Sequence, residues 1–369
     1  MTIDRSREKM KKKCTVYLTS PVFREMAENE LVSISKKERI TELFKLLEES
    51  SNLIESDVRF PSGDTMKEIA ENNRVDIIGC HLSHTISGDI TNLPHLKAVC
   101  TATAGYNHIE RTSGLIVTHT PSVLHDAVSD FILSLILSTL KNIPALNSFV
   151  FQGKWREDQK WDIDAFLGRS LSTLAVGIIG MGEIGQTLAH KLAPWNMKIL
   201  YNSRIRKNDL EKKLPCLCYC KEQGEIFRNA DIISLNVPLT DKTLHLAGKD
   251  QLLMMKRGAL LINTARGEVV DMDALLQLLE SGDIEINLAF DVFDPEPLPV
   301  SMLDRFKNIV EKKPDLKFIF MPHTASADAD TRAEMVIMML SDILTIAEAV
   351  NVSNCNIGYL NDKINLIPC

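Results

Sequence analysis

Short apolar runs alternate with helical stretches along most of the chain. CTVYLTS (14–20), VDIIGC (75–80), LKAVCTA (96–102) and LIVTH (115–119) have strand length, and KKERITELFKLLEES carries its apolar residues at helical spacing. Residues 14–119 therefore predict one α/β unit. A second series follows: STLAVGIIG, KILY, CLCYC, DIISLN, GALLIN, INLAF and FIFM, joined by helix-compatible or short connecting segments. It predicts a larger α/β unit built on a parallel sheet. FILSLILSTL (131–140), extended back to Val123, Leu124, Ala127 and Val128, is apolar around most of its circumference, as expected of a helix wedged between domains or subunits. It is too short to span a membrane and carries serines. From about residue 328, Met335, Met338, Met339, Ile343 and Ile346 recur at helical spacing.

A length of 369 residues accommodates two domains of ordinary size. The net charge of −7, with no basic stripe interleaved with aromatics, argues against nucleic acid as a partner, so any anion must be held by local groups. Eight cysteines scattered through the chain do not make a secreted disulfide scaffold and point to reduced thiols. CLCYC (216–220) would place three thiols on one face of a strand. With no matching Cys or His cluster, a half-buried strand explains it better than a metal site. His81 and His84 of HLSH likewise lack a third ligand. The opening MTIDRSREKMKKK is charged and has no apolar signal-peptide core, so the expectation is a soluble cytoplasmic protein without a membrane segment.

The second unit begins with GMGEIG, in which Gly180, Gly182 and Gly185 fit the dinucleotide-binding spacing. The strand LAVGII precedes it and IGQTLAHKLAPW follows, a helix with Ile184, Leu188 and Leu192 on one face, limited by Pro194. In that setting the first glycine permits a tight turn, the second lets a pyrophosphate approach the backbone, and the third lets helix pack on strand. A turn that merely needs glycine explains one of them better than three in register.

Ligands of an open parallel sheet bind beyond the carboxyl ends of its strands. GALLIN runs into Thr264, Ala265 and Arg266; INLAF ends at Asp291, five residues before Glu296; FIFM ends at Pro322 and His323. Each is commonplace alone, but their joint placement is not. With no nucleophile elbow and no metal-ligand cluster, a dinucleotide beside Arg, Glu and His points to hydride transfer.

GIIGMGEIGQTLA, LINTARGEVVD, DVFDPEPLP and PHTAS together resemble, in order and approximate spacing, the D-2-hydroxyacid dehydrogenases across roughly residues 75–335. TPSVLHDAVSDFILSLILSTLKNIP and the strand ending YNSR look most like the glyoxylate and hydroxypyruvate reductases. The resemblance implies two doubly wound parallel-sheet domains. A Rossmann cofactor domain (120–327) would be inserted into a discontinuous flavodoxin-like substrate domain (1–119 plus 328–369), with crossings near Pro121 and Ser326 as hinges. By the same likeness, Arg266 would hold the substrate carboxylate and polarise the carbonyl, His323 would be the acid/base, and Glu296 would partner it. Leu82, Ser83 and the backbone N–H groups of Ala104 and Gly105 would receive the substrate. The cofactor would lie along Gly180, Gly182, Glu183, Ile184 and Gly185, then Val237, Pro238, Thr264, Asp291 and His323, with Asp291 near the nicotinamide carboxamide. A homodimer is expected. Trp155 and Trp161, in GKWREDQKWDID, would meet either a second subunit or the chain's own surface.

The sequence departs from the family pattern in HTAS after the histidine, in Asn107 and Glu110 of GYNHIE, in Ser129-Asp130, and in EKKPDLK (311–317), which reads as a local insertion.

Cofactor choice turns on YNSRIRK (201–207). NAD sites commonly place an acid about twenty residues beyond the glycine loop, where it binds the ribose hydroxyls. Here that position falls on Ser203 and Arg204, and no acid occurs between Ile199 and Asp209. A solvated basic loop would look similar. The functional reading is a 2'-phosphate clamp with Arg204 as main contact, Ser203 as hydroxyl donor, and Arg206 or Lys207 adding charge, which predicts NADPH over NADH. The alternatives are another 2-oxo acid specificity, such as phosphohydroxypyruvate, and a non-catalytic dinucleotide sensor of the corepressor type.

Overall fold

The computed structural model describes residues 13–158, 162–351 and 364–367. Among them, five strands form one sheet: β1 (Cys14–Leu18), β2 (Ser51–Glu55), β3 (Ile77–Cys80), β4 (Ala98–Thr101) and β5 (Ile116–Thr118). Seven form another: β6 (Ala175–Ile179), β7 (Lys198–Asn202), β8 (Leu217–Tyr219), β9 (Ile232–Leu235), β10 (Leu260–Asn263), β11 (Asn287–Phe290) and β12 (Phe318–Phe320). Every strand pairing within these sheets is parallel. The orders are β2-β1-β3-β4-β5 and β12-β11-β10-β9-β6-β7-β8. The first is the flavodoxin-like order and the second is the Rossmann order extended by one strand. The chain divides into two compact units, one holding the residues up to Leu124 and those from Ala327, the other His125–Ser326.

In the first unit β1, β3, β4 and β5 are buried along their whole length, which is why they read as continuous apolar runs. Strand β2 carries no such run, since only Ser51 of its five residues is buried. The helix Ala329–Asn351 packs on the helix Ile34–Ser50 and on β1. Met339, Leu340, Ile343 and Ile346 meet Ile40, Leu43, Phe44 and Leu47 there in one core. Residues 364–367 lie against the edge of that sheet: Leu366 bridges Thr118 in antiparallel sense, and the Ile367 N–H donates to the Val117 carbonyl at 3.1 Å. The tail is also tied to a buried acid, because Asn365 donates its side-chain amide to Asp342 Oδ1 at 3.1 Å.

Asp342 is 2 % exposed. Burial pushes its carboxyl from 3.8 up to about 6, against the pull of the Asn365 bonds. Because the folded value is raised, the stability this group contributes is present below 3.8 and is lost as pH rises through about 6. The shift corresponds to about 3 kcal/mol. Asp342→Asn, which keeps an acceptor for Asn365, is therefore expected to raise unfolding free energy by up to that amount at pH 8, with the gain shrinking towards zero near pH 4. Urea titrations of both proteins at the two pH values check this; an equal difference at both would refute it.

His84 is buried, with Nδ1 2.6 Å from the Thr19 hydroxyl and Nε2 2.9 Å from the Arg59 carbonyl oxygen. The His81 and His84 ring centroids are 3.8 Å apart, and burial, together with the His84 ring, pushes His81 down to about 3. No group of three metal-ligating side chains occurs among the described residues. The thiols of CLCYC do not share one environment: Cys216 is half-buried, Cys218 exposed and Cys220 buried, at the edge strand β8.

In the second unit the helix His125–Leu140 packs on the helix Glu183–Leu192. It buries Val128, Ile132, Leu135, Ile136 and Leu140, leaving Phe131 and Leu133 half-buried. No single described helix is long and apolar enough to cross a membrane. In EKKPDLK, Glu311 and Lys312 complete the helix Val300–Lys312. Trp155 is exposed, and Trp161 lies outside the described residues.

Candidate active site

Strands β10, β11 and β12 are neighbours, so their carboxyl ends bring the segments after Asn263, Phe290 and Phe320 to one rim. On that rim His323 Nδ1 and Glu296 Oε1 are 2.7 Å apart. The bond assigns Nδ1–H as donor to the carboxylate and leaves Nε2 as the nitrogen free to act. Burial of Glu296 opposes its ionisation, but the His323 ring, the Phe293 backbone and the Arg266 charge outweigh it and hold the carboxyl below its ordinary value.

His323 has φ 55°, a left-handed conformation unusual for a side-chain-bearing residue. Asp291, 1 % exposed, holds that turn. Its backbone carbonyl accepts from the His323 N–H at 2.9 Å. Its carboxylate accepts from the Thr324 and Ala325 N–H groups at 2.7 and 2.8 Å, and from the Thr324 hydroxyl at 3.3 Å. The sequence reading set Asp291 beside a nicotinamide carboxamide; among the described residues its carboxylate is engaged under the histidine turn. Thr324 of the unusual HTAS run adds the hydroxyl bond.

Arg266 is half-buried, and its Nη1 donates to the Ala265 carbonyl at 2.6 Å. Burial pulls the guanidinium below its ordinary value, with Glu268 and Glu296 opposing, and an arginine so placed stays charged. Asn263, fully buried, shapes this turn: its amide donates to the Arg266 carbonyl at 2.8 Å and its Oδ1 accepts from the Ala265 N–H at 3.1 Å. Gly267 lies so close to the 293–294 backbone that a Cβ would collide with the Phe293 carbonyl. The DVFDPEP segment is thereby seated beside the Arg266 turn.

Gly180 has φ 98°, and a Cβ there would strike the Asn236 carbonyl at the end of β9. A Cβ at Gly185 would strike the Gly180 carbonyl, so helix Glu183–Leu192 packs tightly on β6. At Gly182 a Cβ would meet nothing, and no side chain caps the helix that begins after it. Open space at an uncapped helix N-terminus, beside two close backbone approaches, fits a pyrophosphate. Glu183 is exposed and Ile184 half-buried in the first turn of that helix; Val237 packs beside Gly180, Pro238 is exposed, and Thr264 is half-buried. Asn236 Oδ1, buried between these segments, accepts no hydrogen bond among the described residues.

After β7, Ser203 Oγ donates to the Ile205 carbonyl at 2.7 Å. Arg204 is exposed and has no ion-pair partner among the described residues. Arg206 gives Nε and Nη2 to Glu211, at 3.0 and 2.7 Å, an acid two residues beyond Asp209. The Lys207 N–H donates to the Tyr201 hydroxyl at 2.8 Å.

In the first unit the Ala104 carbonyl lies 2.8 Å from His119 Nδ1 and the Gly105 carbonyl accepts from the Thr103 hydroxyl at 2.7 Å. The N–H groups of Ala104 and Gly105 make no backbone hydrogen bond among the described residues. The Ser83 N–H is turned to His81 Nδ1 at 3.3 Å, and Leu82 is half-buried. Glu110, one of the departures, accepts from the Gly88 N–H at 2.7 Å.

Residues 133–325 match the family model of the D-isomer specific 2-hydroxyacid dehydrogenase NAD-binding domain. The chain belongs to that family. It is 34 % identical over 305 residues to a glyoxylate reductase of Thermofilum pendens, covering 79 % of this chain and 86 % of that one. It is 36 % identical over 265 residues to a glyoxylate reductase of Aeropyrum pernix, covering 70 % and 76 %. A solved structure of a Thermus thermophilus protein superposes with TM-score 0.73 at 27 % identity, covering 91 % of this chain and 97 % of that one. D-lactate dehydrogenase of Aquifex aeolicus, solved with NAD and lactic acid, shares the fold at TM-score 0.72 and 23 % identity, covering 96 % and 100 %.

Two residues of this 2-hydroxyacid dehydrogenase escaped the sequence reading. Asn263 looked like the polar end of an apolar strand, and only its place two and three residues before Ala265 and Arg266 hinted at a turn brace. Glu211 sits five residues beyond Arg206, a separation that no single helical or strand period links.

Proposed function

We propose that this dehydrogenase reduces glyoxylate to glycolate, or hydroxypyruvate to the D-2-hydroxy acid, with NADPH. The observation that carries the reading is the 2.7 Å His323–Glu296 pair on the same rim as Arg266, in a sheet whose β6 runs into the glycine loop of a dinucleotide fold. A bound reduced nicotinamide would supply the hydride. His323, oriented by Glu296, gives the proton from Nε2 to the alkoxide oxygen as charge builds there. Arg266 binds the carboxylate and, as a fixed charge in a half-buried place, stabilises that developing oxyanion. Ala104 and Gly105 of the first unit take part in substrate binding through backbone N–H groups, with Leu82 and Ser83 beside them. Gly180, Gly182, Glu183, Ile184, Gly185, Val237, Pro238 and Thr264 line the cofactor. The glyoxylate reductases among its relatives support the substrate class.

The NADPH preference rests on Arg204, an exposed cation just after β7 with no ion-pair partner among the described residues. Arg204→Asp is expected to raise KM for NADPH by about 10²-fold while leaving NADH usable, since a charge-assisted contact becomes a repulsion. The check is steady-state oxidation of NADPH and NADH by wild type and variant against a panel of 2-oxo acids. Wild type turning over none of the acids would end the enzymatic reading, and an unchanged cofactor ratio in the variant would end the clamp.

The protein is proposed to act as a cytoplasmic homodimer. Helix Ile143–Phe151, sequence IPALNSFVF, buries none of its residues, and Phe151 is 84 % exposed, an apolar face suited to a second copy.

A further inference from the structure

The loop that follows β7 is braced more heavily than a solvated basic loop requires. The brace is a closed ring of side chains. Glu211, from the short helix Asn208–Lys213, takes the fork of Arg206: Nε lies 3.0 and 3.2 Å from its two oxygens and Nη2 lies 2.7 Å from Oε2. The same carboxylate accepts the Tyr201 hydroxyl at 2.6 Å. That hydroxyl in turn accepts the Lys207 N–H at 2.8 Å, returning the ring to the residue after Arg206. Tyr201 is fully buried, and burial, with Glu211 beside it, pushes its phenol up to about 12, so it remains a donor. Tyr219, its register partner on β8, has its ring 5.4 Å below the Arg206 guanidinium.

An isolated surface ion pair would fix little. This one is bidentate, its carboxylate side chain is only 17 % exposed, and it is anchored to a buried phenol. The near end of the loop is pinned as well. The Asn202 amide donates to the Cys220 and Lys221 carbonyls at 2.9 and 3.1 Å, and Ser203 Oγ closes on the Ile205 carbonyl at 2.7 Å. Within this braced turn Arg204 stands out, exposed and without an ion-pair partner among the described residues.

We propose that Glu211 and Tyr201 are positioning residues for NADPH selectivity: they hold the 203–207 turn so that Arg204 meets the 2'-phosphate, and Arg206 is a strut of that turn, not a phosphate ligand. The proposal rests on the NADPH reading above. It makes Glu211, an acid beside an anion site, favourable to NADPH binding, opposite in sign to its bare electrostatic effect. It also makes the shape of the Arg206 side chain matter more than its charge, because a lysine cannot form the bidentate fork.

Equilibrium titration of the full chain with NADPH and with NADH tests this on wild type, Arg204→Ala, Glu211→Ala, Arg206→Lys and Tyr201→Phe. Glu211→Ala, Arg206→Lys and Tyr201→Phe are each expected to raise Kd for NADPH about tenfold, with NADH binding at its wild-type value. The Glu211→Ala/Arg206→Lys double variant should be no worse than either single one, because both break one ring. Unaltered NADH binding shows that the fold is retained, and Tyr201→Phe keeps the buried ring in place. Tighter NADPH binding by Glu211→Ala, with Arg206→Lys near wild type, would show that Arg206 reaches the phosphate and overturn the strut. If wild type binds NADPH no more tightly than NADH, the NADPH reading falls and takes the proposal with it. If wild type prefers NADPH, and Arg204→Ala abolishes the preference while the three brace variants keep it, the strut alone falls.

Discussion

His323→Ala is expected to lower kcat for 2-oxo acid reduction by about 10²- to 10⁴-fold, the span that a lost general acid commonly costs. KM for the oxo acid should change little, because Arg266, not the imidazole, is the proposed anchor of the carboxylate. The geometry argues for a loss near the upper end. Glu296 fixes Nδ1 at 2.7 Å, and three N–H groups running from residue 323 to 325 bond to Asp291, so the ring is held with little freedom to reorient. Glu296→Gln should be milder, since its amide oxygen can still accept from Nδ1–H and keep the ring oriented, although the carboxylate charge is lost. Stopped-flow or steady-state NADPH oxidation reads both. Retention of more than about a tenth of wild-type kcat by His323→Ala would remove it as proton donor.

How much of this was legible beforehand differs by residue, and the physics explains why. The strands of the second sheet that carry the site were visible as unbroken apolar runs: β10 and β11 are parallel strands almost wholly buried, and the edge strand β12 is half-buried but all phenylalanine and isoleucine, and chemistry begins where such runs stop. GALLIN, INLAF and FIFM announced Arg266, Asp291 and His323 in that way. Strand β2 was not visible: Ser51–Glu55 is an edge strand with one buried residue, and a polar edge has no signature distinct from a loop. Asp291 was legible as a residue and not as a task, because a carboxylate at a strand end can face a ligand or fold under its neighbour. The hydrogen bonds from Thr324 and Ala325 show the second of these, which no apolar run announces. The charge of Arg206 was plain, but its neutralisation by Glu211 depends on a turn that brings together residues five apart. The seating of the Ala329–Asn351 helix on Ile34–Ser50 joins the two ends of the chain, a contact no local periodicity encodes.

Arg266→Lys is expected to lower kcat/KM by about 10²- to 10³-fold, although the substitution keeps a cation. Arg266 sits in a turn fixed on both sides, by Asn263 through the Arg266 carbonyl and by the close approach of Gly267 to Phe293, so the lysine variant changes the side chain alone. What it loses is the planar fork that meets a carboxylate with two parallel bonds. It loses permanence of charge as well. Burial pulls even the guanidinium below its ordinary value, and Glu268 and Glu296 only partly oppose this. An ammonium starts about two units lower and is pulled in the same direction, so its charged fraction falls as pH rises through its depressed value. The residual kcat/KM of Arg266→Lys should therefore decline between pH 7 and pH 9 more steeply than that of wild type, whose guanidinium stays charged throughout. Parallel pH profiles of the two proteins decide this. A lysine variant with wild-type efficiency would mean that Arg266 is no bidentate anchor, and one whose profile parallels wild type at a constant offset would mean that the permanence of its charge is not what the site needs.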